Sequence, residues 1–380
     1  MSALMMHSFK LGLSGSRQHS TVRTAPRCLP ARSRGSVRRS CRSTTRHVVT
    51  MSANRQWILR NRPDGDIKKT DLELVETPIP AIEDGQVLCK NMYISIDPTH
   101  RIWMSDAPQY MPCVELGEIM RAVSIAVVED SKFDGLAKGD IVSGIGGCQD
   151  YFVADGATLN KADPSLPPPE QLGPYSMIIG LTAFYGTTKI CAPKAGETFV
   201  VSGAAGAVGS MAGQLAKMAG ARVIGTVGSQ EKADWLTKEL GFDGVINYKT
   251  DDVAAKLKEL APDGVDCYFD NTAGPVLEEV LLQFNNNGRI ALCGLINQYN
   301  TDKIGVKNYD MILMRRLTVQ GFICIDQLAS MGEMLEVVKK GIADGKIKYK
   351  LDIQKGLESY IDVVNMLYNG SNQGKLMIEV

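Results

Sequence analysis

Residues 200–210 read VVSGAAGAVGS: an apolar strand end, a turn of small residues and the first turn of a helix. The usual dinucleotide-binding fingerprint is G-x-G-x-x-G. Here Gly206 and Gly209 hold its second and third glycine positions, and Ala204 stands at the first. A strand, a small-residue turn and a helix in that order make an anion site, because the helix start presents unpaired N–H groups and positive dipole potential. Alanine is small enough for a slightly wider turn. The segment Ala205–Gly206–Ala207–Val208–Gly209 is therefore expected to cradle a pyrophosphate.

The pattern on either side supports this reading. ETFVVS is a strand, and Val208, Met211, Ala212, Leu215 and Met218 recur at helical spacing after it. ARVIGTVG, GVINY, GVDCYFDN and GRIALCG read as further strands, separated by the helices SQEKADWLTKEL, DDVAAKLKEL and GPVLEEVLLQF. LTVQGFICI could extend the sheet. This order predicts a doubly wound parallel sheet with right-handed crossovers, the Rossmann class of α/β fold. Residues 55–175 are β-rich instead, with GQVLCKNMYISID as one strand, and the proline-rich PSLPPPEQLGP marks a boundary. Helices are expected at 328–340, with Met331, Met334, Leu335 and Val338 on one core-facing stripe, and at 357–368. GKLMIEV reads as a strand returning to the first domain.

The end of the second strand of the parallel sheet distinguishes between dinucleotides. Binders of the unphosphorylated coenzyme usually carry a carboxylate there, which bonds the ribose 2′-hydroxyl. Here the chain reads GTVGSQEK, with Gly228 at the strand end and Lys232 following. A cation in that place favours a 2′-phosphate, so NADPH is the expected cofactor. Glu231 would begin a helix and can point away.

Composition adds limits. The chain has 380 residues, enough for two domains, and no Asp or Glu before residue 64. Residues 1–50 hold nine arginines and one lysine among many serines and threonines. That is the composition of an organelle transit peptide, too polar to build a core and expected to be disordered. The serine and threonine content points to a chloroplast, with the mitochondrion as alternative and the cytosol if translation starts at Met51. A basic arm for an anionic partner is the other reading of the segment. The rest carries 32 Lys and Arg against 42 Asp and Glu, which argues against nucleic acid as a partner. No stretch approaches the roughly 18 apolar residues of a membrane helix, so no membrane insertion is expected. Nine cysteines lie far apart without a C-x-x-C, and only His100 follows the leader. No metal site is expected.

Taken in order, NMYISIDP, GLTAFYG, SGAAGAVGS, GSQEK, YFDN, GLINQYN and NQGKLMIEV resemble the zinc-independent medium-chain dehydrogenase/reductases. Within these the chain is most similar to prostaglandin reductases, plant 2-alkenal double-bond reductases and bacterial curcumin reductase. The resemblance implies a GroES-like β-rich catalytic domain over 53–175, completed by 341–380, and a Rossmann domain over 176–340. It implies NADPH between them, a homodimer through the Rossmann domain, and reduction of the C=C bond of an enal or enone. By the same resemblance Lys232 and Tyr248 contact the 2′-phosphate region, and Asn271 ends the next strand. Cys293, Gly294 and Tyr299 pass the nicotinamide, Phe322 and Cys324 line its pocket, and Asn372 reaches back from the catalytic domain. Tyr299 and Tyr93 match the family's active-site tyrosines: Tyr299 as donor to the substrate oxygen, Tyr93 to orient the substrate or relay a proton.

Two stretches depart from the family. Where its members usually read DPYMR this chain has Thr99 and His100, and where they place tryptophan in GGWQDY it has Cys148. Both fall in the domain expected to shape the substrate pocket, which loss of an indole would enlarge. A quinone oxidoreductase of the same superfamily is the rival enzyme. A cofactor-binding redox sensor without turnover is the rival of another class.

Overall fold

Residues 53–380, which the computed structural model describes, carry fifteen strands. The leader expectation falls on residues 1–52, outside the described residues. The first seven strands are β1 (Ala53–Leu59), β2 (Leu72–Pro78), β3 (Gln86–Ser95), β4 (Ser124–Ser131), β5 (Ile141–Gly144), β6 (Tyr151–Asp155) and β7 (Asn160–Lys161). The parallel region supplies β8 (Thr198–Val201), β9 (Arg222–Val227), β10 (Gly244–Asn247), β11 (Val265–Asp270), β12 (Phe284–Leu292) and β13 (Thr318–Gly321). The last two are β14 (Leu351–Lys355) and β15 (Lys375–Glu379).

Strands β8 to β13 form a six-stranded sheet in the order β10-β9-β8-β11-β12-β13, every pair parallel. All four residues of β8 are buried, and only the first residue of β9 is exposed. Such near-continuous apolar runs are what a strand covered on both faces requires. On one face Met211, Ala212 and Leu215 of the Ala207–Met218 helix pack with Leu236, Met334 and Val338. On the other, Leu257 packs with Val276, Leu277, Val280 and Leu281. From β8 the chain winds outward to β9 and β10, then returns to β11 on the other side. This reversal places a topological switch point between the carboxyl ends of β8 and β11, where ligands bind in sheets of this kind.

The other sheet runs β14-β15-β3-β4-β5-β7, with β6 also paired to β3, while β1 and β2 form a separate antiparallel pair. The C-terminal strand thus returns to the first sheet, against β3. The parallel β14–β15 pair at its edge was not anticipated. A buried ion pair locks β15 in place: Lys375 Nζ lies 2.8 Å from Asp97 Oδ1 and donates to Ile96 O at 3.0 Å. Burial alone would raise the Asp97 carboxyl, but Lys375, His100 and Ser95 together hold it below the usual range.

The helix expected at 328–340 spans Met331–Ala343, after a tighter Cys324–Ser330 turn, and the one at 357–368 spans Tyr360–Asn369. The sequence reading passed over Met177–Cys191, which coils as wide helical turns around a short α-helical Thr182–Tyr185 and ends at Ala192 with φ 41°.

Candidate active site

The turn after β8 answers the question raised by Ala204. Gly203 takes the left-handed conformation, φ +58°, that the tight turn needs. Ala204 is fully buried, and its N–H donates to Thr226 O at 3.1 Å. Ala204 itself keeps a negative φ, so the fingerprint's first place does not need glycine here. A Cβ on Gly209 would sit 2.4 Å from Gly203 O, so only glycine lets helix and turn approach this closely. Gly206 begins the Ala207–Met218 helix without a side-chain cap. The first N–H groups of that helix lack intrahelical partners, which fits a diphosphate.

The turn is held from the other domain. Gly374 N donates to Ala205 O at 3.2 Å, and Gly206 and Gly374 form a lone parallel bridge. Asn372, buried, donates from Nδ2 to Gly374 O at 3.3 Å. At the end of β9, Ser229 caps the next helix through Lys232 N at 3.3 Å. Lys232 Nζ donates to Gly370 O at 2.6 Å. Glu231 is engaged by Gln373 Nε2, on the turn that also carries Asn372. Tyr248, at the end of β10, is exposed.

At the ends of β11 and β12 the polar groups are denser. Asp270 Oδ1 accepts from Ser202 Oγ at 3.0 Å, Tyr268 OH at 3.0 Å, Thr272 N at 3.0 Å and Ala273 N at 2.9 Å. Its Oδ2 is buried without a partner, and burial lifts this carboxyl above its ordinary range. Asn271 is fixed by Nδ2 to Ser202 O at 2.7 Å, and Cys293 N donates to Asp270 O at 2.9 Å. The Tyr299 hydroxyl accepts from Leu295 N at 3.1 Å, next to Gly294, whose added Cβ would stand 3.5 Å from that oxygen. Burial raises the Tyr299 hydroxyl pKa, so it is a neutral donor. Phe322, beyond β13, packs on Tyr185 and Phe269 with ring centroids 5.8 and 6.3 Å away. Cys324 follows it, half-buried. Apart from Asn372, the predicted cofactor residues thus stand along the carboxyl edge of the six parallel strands, from Tyr248 past β10 to Cys324 past β13.

One residue at this end, Tyr110, was not anticipated, and Thr99, noted above as a departure from the family, neighbours it. Tyr110, 37% exposed, accepts at its OH from Trp103 Nε1 at 3.0 Å; partial desolvation of the hydroxyl raises its pKa, with Cys324 and Tyr299 as electrostatic neighbours. Thr99 Oγ1 is buried and neighbours the Tyr110 hydroxyl. The surrounding loop is tied down by Asn300 Nδ2 to Asp66 Oδ1 at 2.7 Å and by Arg101 to Pro63 O and Gly65 O at 2.8 and 3.2 Å. Only the aromatic letter at 110 hinted at its place, since no local motif surrounds it.

Tyr93 lies elsewhere. A register shift between Asn91 and Tyr93 leaves Ile94 fully buried on β3. Tyr93 packs against Ile125, Leu172 and Met377, with its hydroxyl 3.5 Å from Glu379. The expected enlargement of the substrate pocket at Cys148 needs correcting. Cys148 is fully buried in the first domain's core with Trp57, Trp103 and Tyr360. His100 is buried there too, its Nδ1 3.0 Å from Tyr360 OH and its ring stacked on Trp103 at 5.5 Å. Both His100 and Cys148 sit in the packing of the first domain. Among the described residues no group of three His, Cys, Asp or Glu could hold a metal ion.

Two family models match: the N-terminal domain of oxidoreductase over residues 55–162 and a zinc-binding dehydrogenase model over 207–340. The chain is 38% identical to the NADP(+)-dependent 2-alkenal reductase of Nicotiana tabacum, over 86% of this chain and 98% of that one. It is 36% identical to the NADPH-dependent curcumin reductase of Escherichia coli (strain K12), over 86% and 97%. The crystal structure of CurA from Vibrio vulnificus with NADPH superposes with a TM-score of 0.82 at 36% identity, over 86% of this chain and 99% of that one. With the glycine turn, the lysine beyond β9 and the two-sheet architecture all in place, the chain belongs to the zinc-independent medium-chain dehydrogenase/reductases, in the group of prostaglandin, 2-alkenal and curcumin reductases, and is an NADP-dependent oxidoreductase.

Proposed function

We propose that the protein reduces the C=C bond of α,β-unsaturated aldehydes or ketones. The observation that carries this is the Tyr299 hydroxyl, which accepts from Leu295 N and keeps its own proton for a further acceptor. NADPH, once bound, would supply the hydride for the β-carbon; the C=C electron pair would shift toward the carbonyl and the α-carbon would take a proton from solvent or a hydroxyl. The chain holds the cofactor along Ala205–Gly209, Lys232 and Asn372. Tyr299 donates to the substrate oxygen where negative charge develops, and a donor fixed before the reaction needs no reorganisation. Tyr110 supplies a second hydroxyl, oriented by the Trp103 indole.

A homodimer is part of this reading. Every residue of β13 is exposed, and Leu313, Tyr309, Met314 and Val319 expose apolar surface nearby. An open edge strand flanked by apolar side chains is a pairing surface. Sedimentation of the protein from Met51 onward tests it, with a monomer at all concentrations as the contrary result.

The reaction is tested by following NADPH oxidation with 2-alkenals, enones and quinones, and by mass analysis of the product. A product two hydrogens heavier with its carbonyl intact is expected. An allylic alcohol, or turnover of quinones alone, would reject the reading.

A further inference from the structure

The residue after Tyr248 has no assigned role, and its side chain lies on the same floor. A Cβ built on Gly228 would come within 2.7 Å of Tyr248 OH and 3.2 Å of Lys249 Cε. The bare glycine at the end of β9 is therefore covered by the Tyr248 phenol and the Lys249 stem together. The turn that delivers them is fixed by Lys249 N to Asn247 Oδ1 at 3.2 Å and by Asn247 N to Asp251 Oδ2 at 2.8 Å. Lys232 rises from the helix that begins just past the same glycine.

Among the described residues no carboxylate lies within 4.0 Å of either ammonium; Lys232 has only the neutral Gly370 O. Glu231, the nearest acid in sequence, is engaged by Gln373. Burial lowers the Lys232 pKa, and the Lys249 charge lowers it further, so the two cations feel each other. Glu231 and Asp352 offset part of this repulsion without pairing directly with either ammonium, and an anion bound between the two cations relieves it further.

We propose that Lys249 is a second ligand for the cofactor's 2′-phosphate, facing Lys232 across Gly228 with Tyr248 between them. This rests on the NADPH reading of the site. The phosphate takes charge-assisted hydrogen bonds from both ammonium groups and relieves their repulsion. Lys232 then exchanges its Gly370 carbonyl for the phosphate. The clamp belongs to the phosphorylated coenzyme alone, since a ribose 2′-hydroxyl carries no charge to hold two cations.

The test is calorimetric titration of wild type, Lys249→Gln, Lys249→Arg and Lys238→Gln with NADPH, NADH and 2′,5′-ADP. Lys249 is exposed, so the variants fold. Lys238→Gln removes one positive charge from the far end of the same helix. The expected result is about tenfold weaker NADPH and 2′,5′-ADP binding in Lys249→Gln, with NADH affinity unchanged. Lys249→Arg and Lys238→Gln should stay near wild type. Unchanged NADPH affinity in Lys249→Gln, or equal losses for NADPH and NADH, overturns the proposal while leaving the cofactor assignment standing. A wild type that does not prefer NADPH over NADH overturns both.

Discussion

The backbone N–H of Leu295 stands 3.1 Å from the Tyr299 hydroxyl oxygen, which fixes the direction in which that hydroxyl can donate. The 3₁₀ turn Ile296–Gln298 lies between the two residues, so the donor is aimed by its own loop. Replacing Tyr299 with Phe removes the donated proton and leaves the glycine turn untouched. Turnover of an enone should fall about 100-fold, with NADPH affinity within twofold of wild type. Pre-steady-state hydride transfer and calorimetry separate the two readouts, and an unaltered rate removes Tyr299 from the mechanism.

Tyr93 and Tyr110 give a paired comparison. With its hydroxyl beside Glu379, Tyr93→Phe should leave enone turnover within about twofold of wild type. Tyr110→Phe should lower it about tenfold or more, because the hydroxyl oriented by Trp103 is lost. The opposite ranking in the same assay would return the relay to Tyr93.

Gly209→Ala places a methyl 2.4 Å from Gly203 O, against backbone that cannot swing aside. The start of the helix must shift. We expect a stability loss of about 1–3 kcal/mol, together with weaker binding of NADPH and NADH alike. Thermal unfolding with and without cofactor reads both effects, and an unchanged cofactor-induced rise in Tm would refute the cradle geometry.

Cys148→Trp restores the indole usual in the family but adds it to a fully buried position between Trp57 and Tyr360. Overpacking should destabilise the fold by about 1–3 kcal/mol. A gain in stability, or a selective change in substrate preference without one, would show that the position faces the pocket after all.

Burial holds the His100 imidazole pKa down to about 4, against 6.5 for an ordinary histidine. The unfolded chain therefore takes up a proton near pH 6.5 that the fold refuses until near pH 4. This contribution is intact above about pH 6.5 and drains as the pH falls toward 4, about 3 kcal/mol in all. Asp97, held below its usual range, adds its own loss only below about pH 4. Urea unfolding across this window should show the decline in wild type and a flatter profile in His100→Met. Parallel profiles would mean the imidazole is not buried neutral.

The order of strands and helices from residue 198 to 292 was legible because each strand is a short apolar run and each helix keeps its own spacing. The glycine turn could be read for the same reason: its geometry depends on backbone within a few residues, Gly203 to Gly209. Tyr110, Lys249 and the core around Cys148 were not legible. Each acquires its meaning from partners far along the chain, such as Gly228 against Lys249 or Cys148 against Tyr360.

By itself, then, the sequence determined the alternating fold, the phosphate-binding turn and the preference for a phosphorylated dinucleotide, since local periodicity and nearby charge suffice for these. Tertiary structure alone put the Tyr93 hydroxyl beside Glu379, because that contact joins strands far apart in the chain. It also decided that the unusual histidine and cysteine belong to the core, because burial depends on what the rest of the chain lays over them.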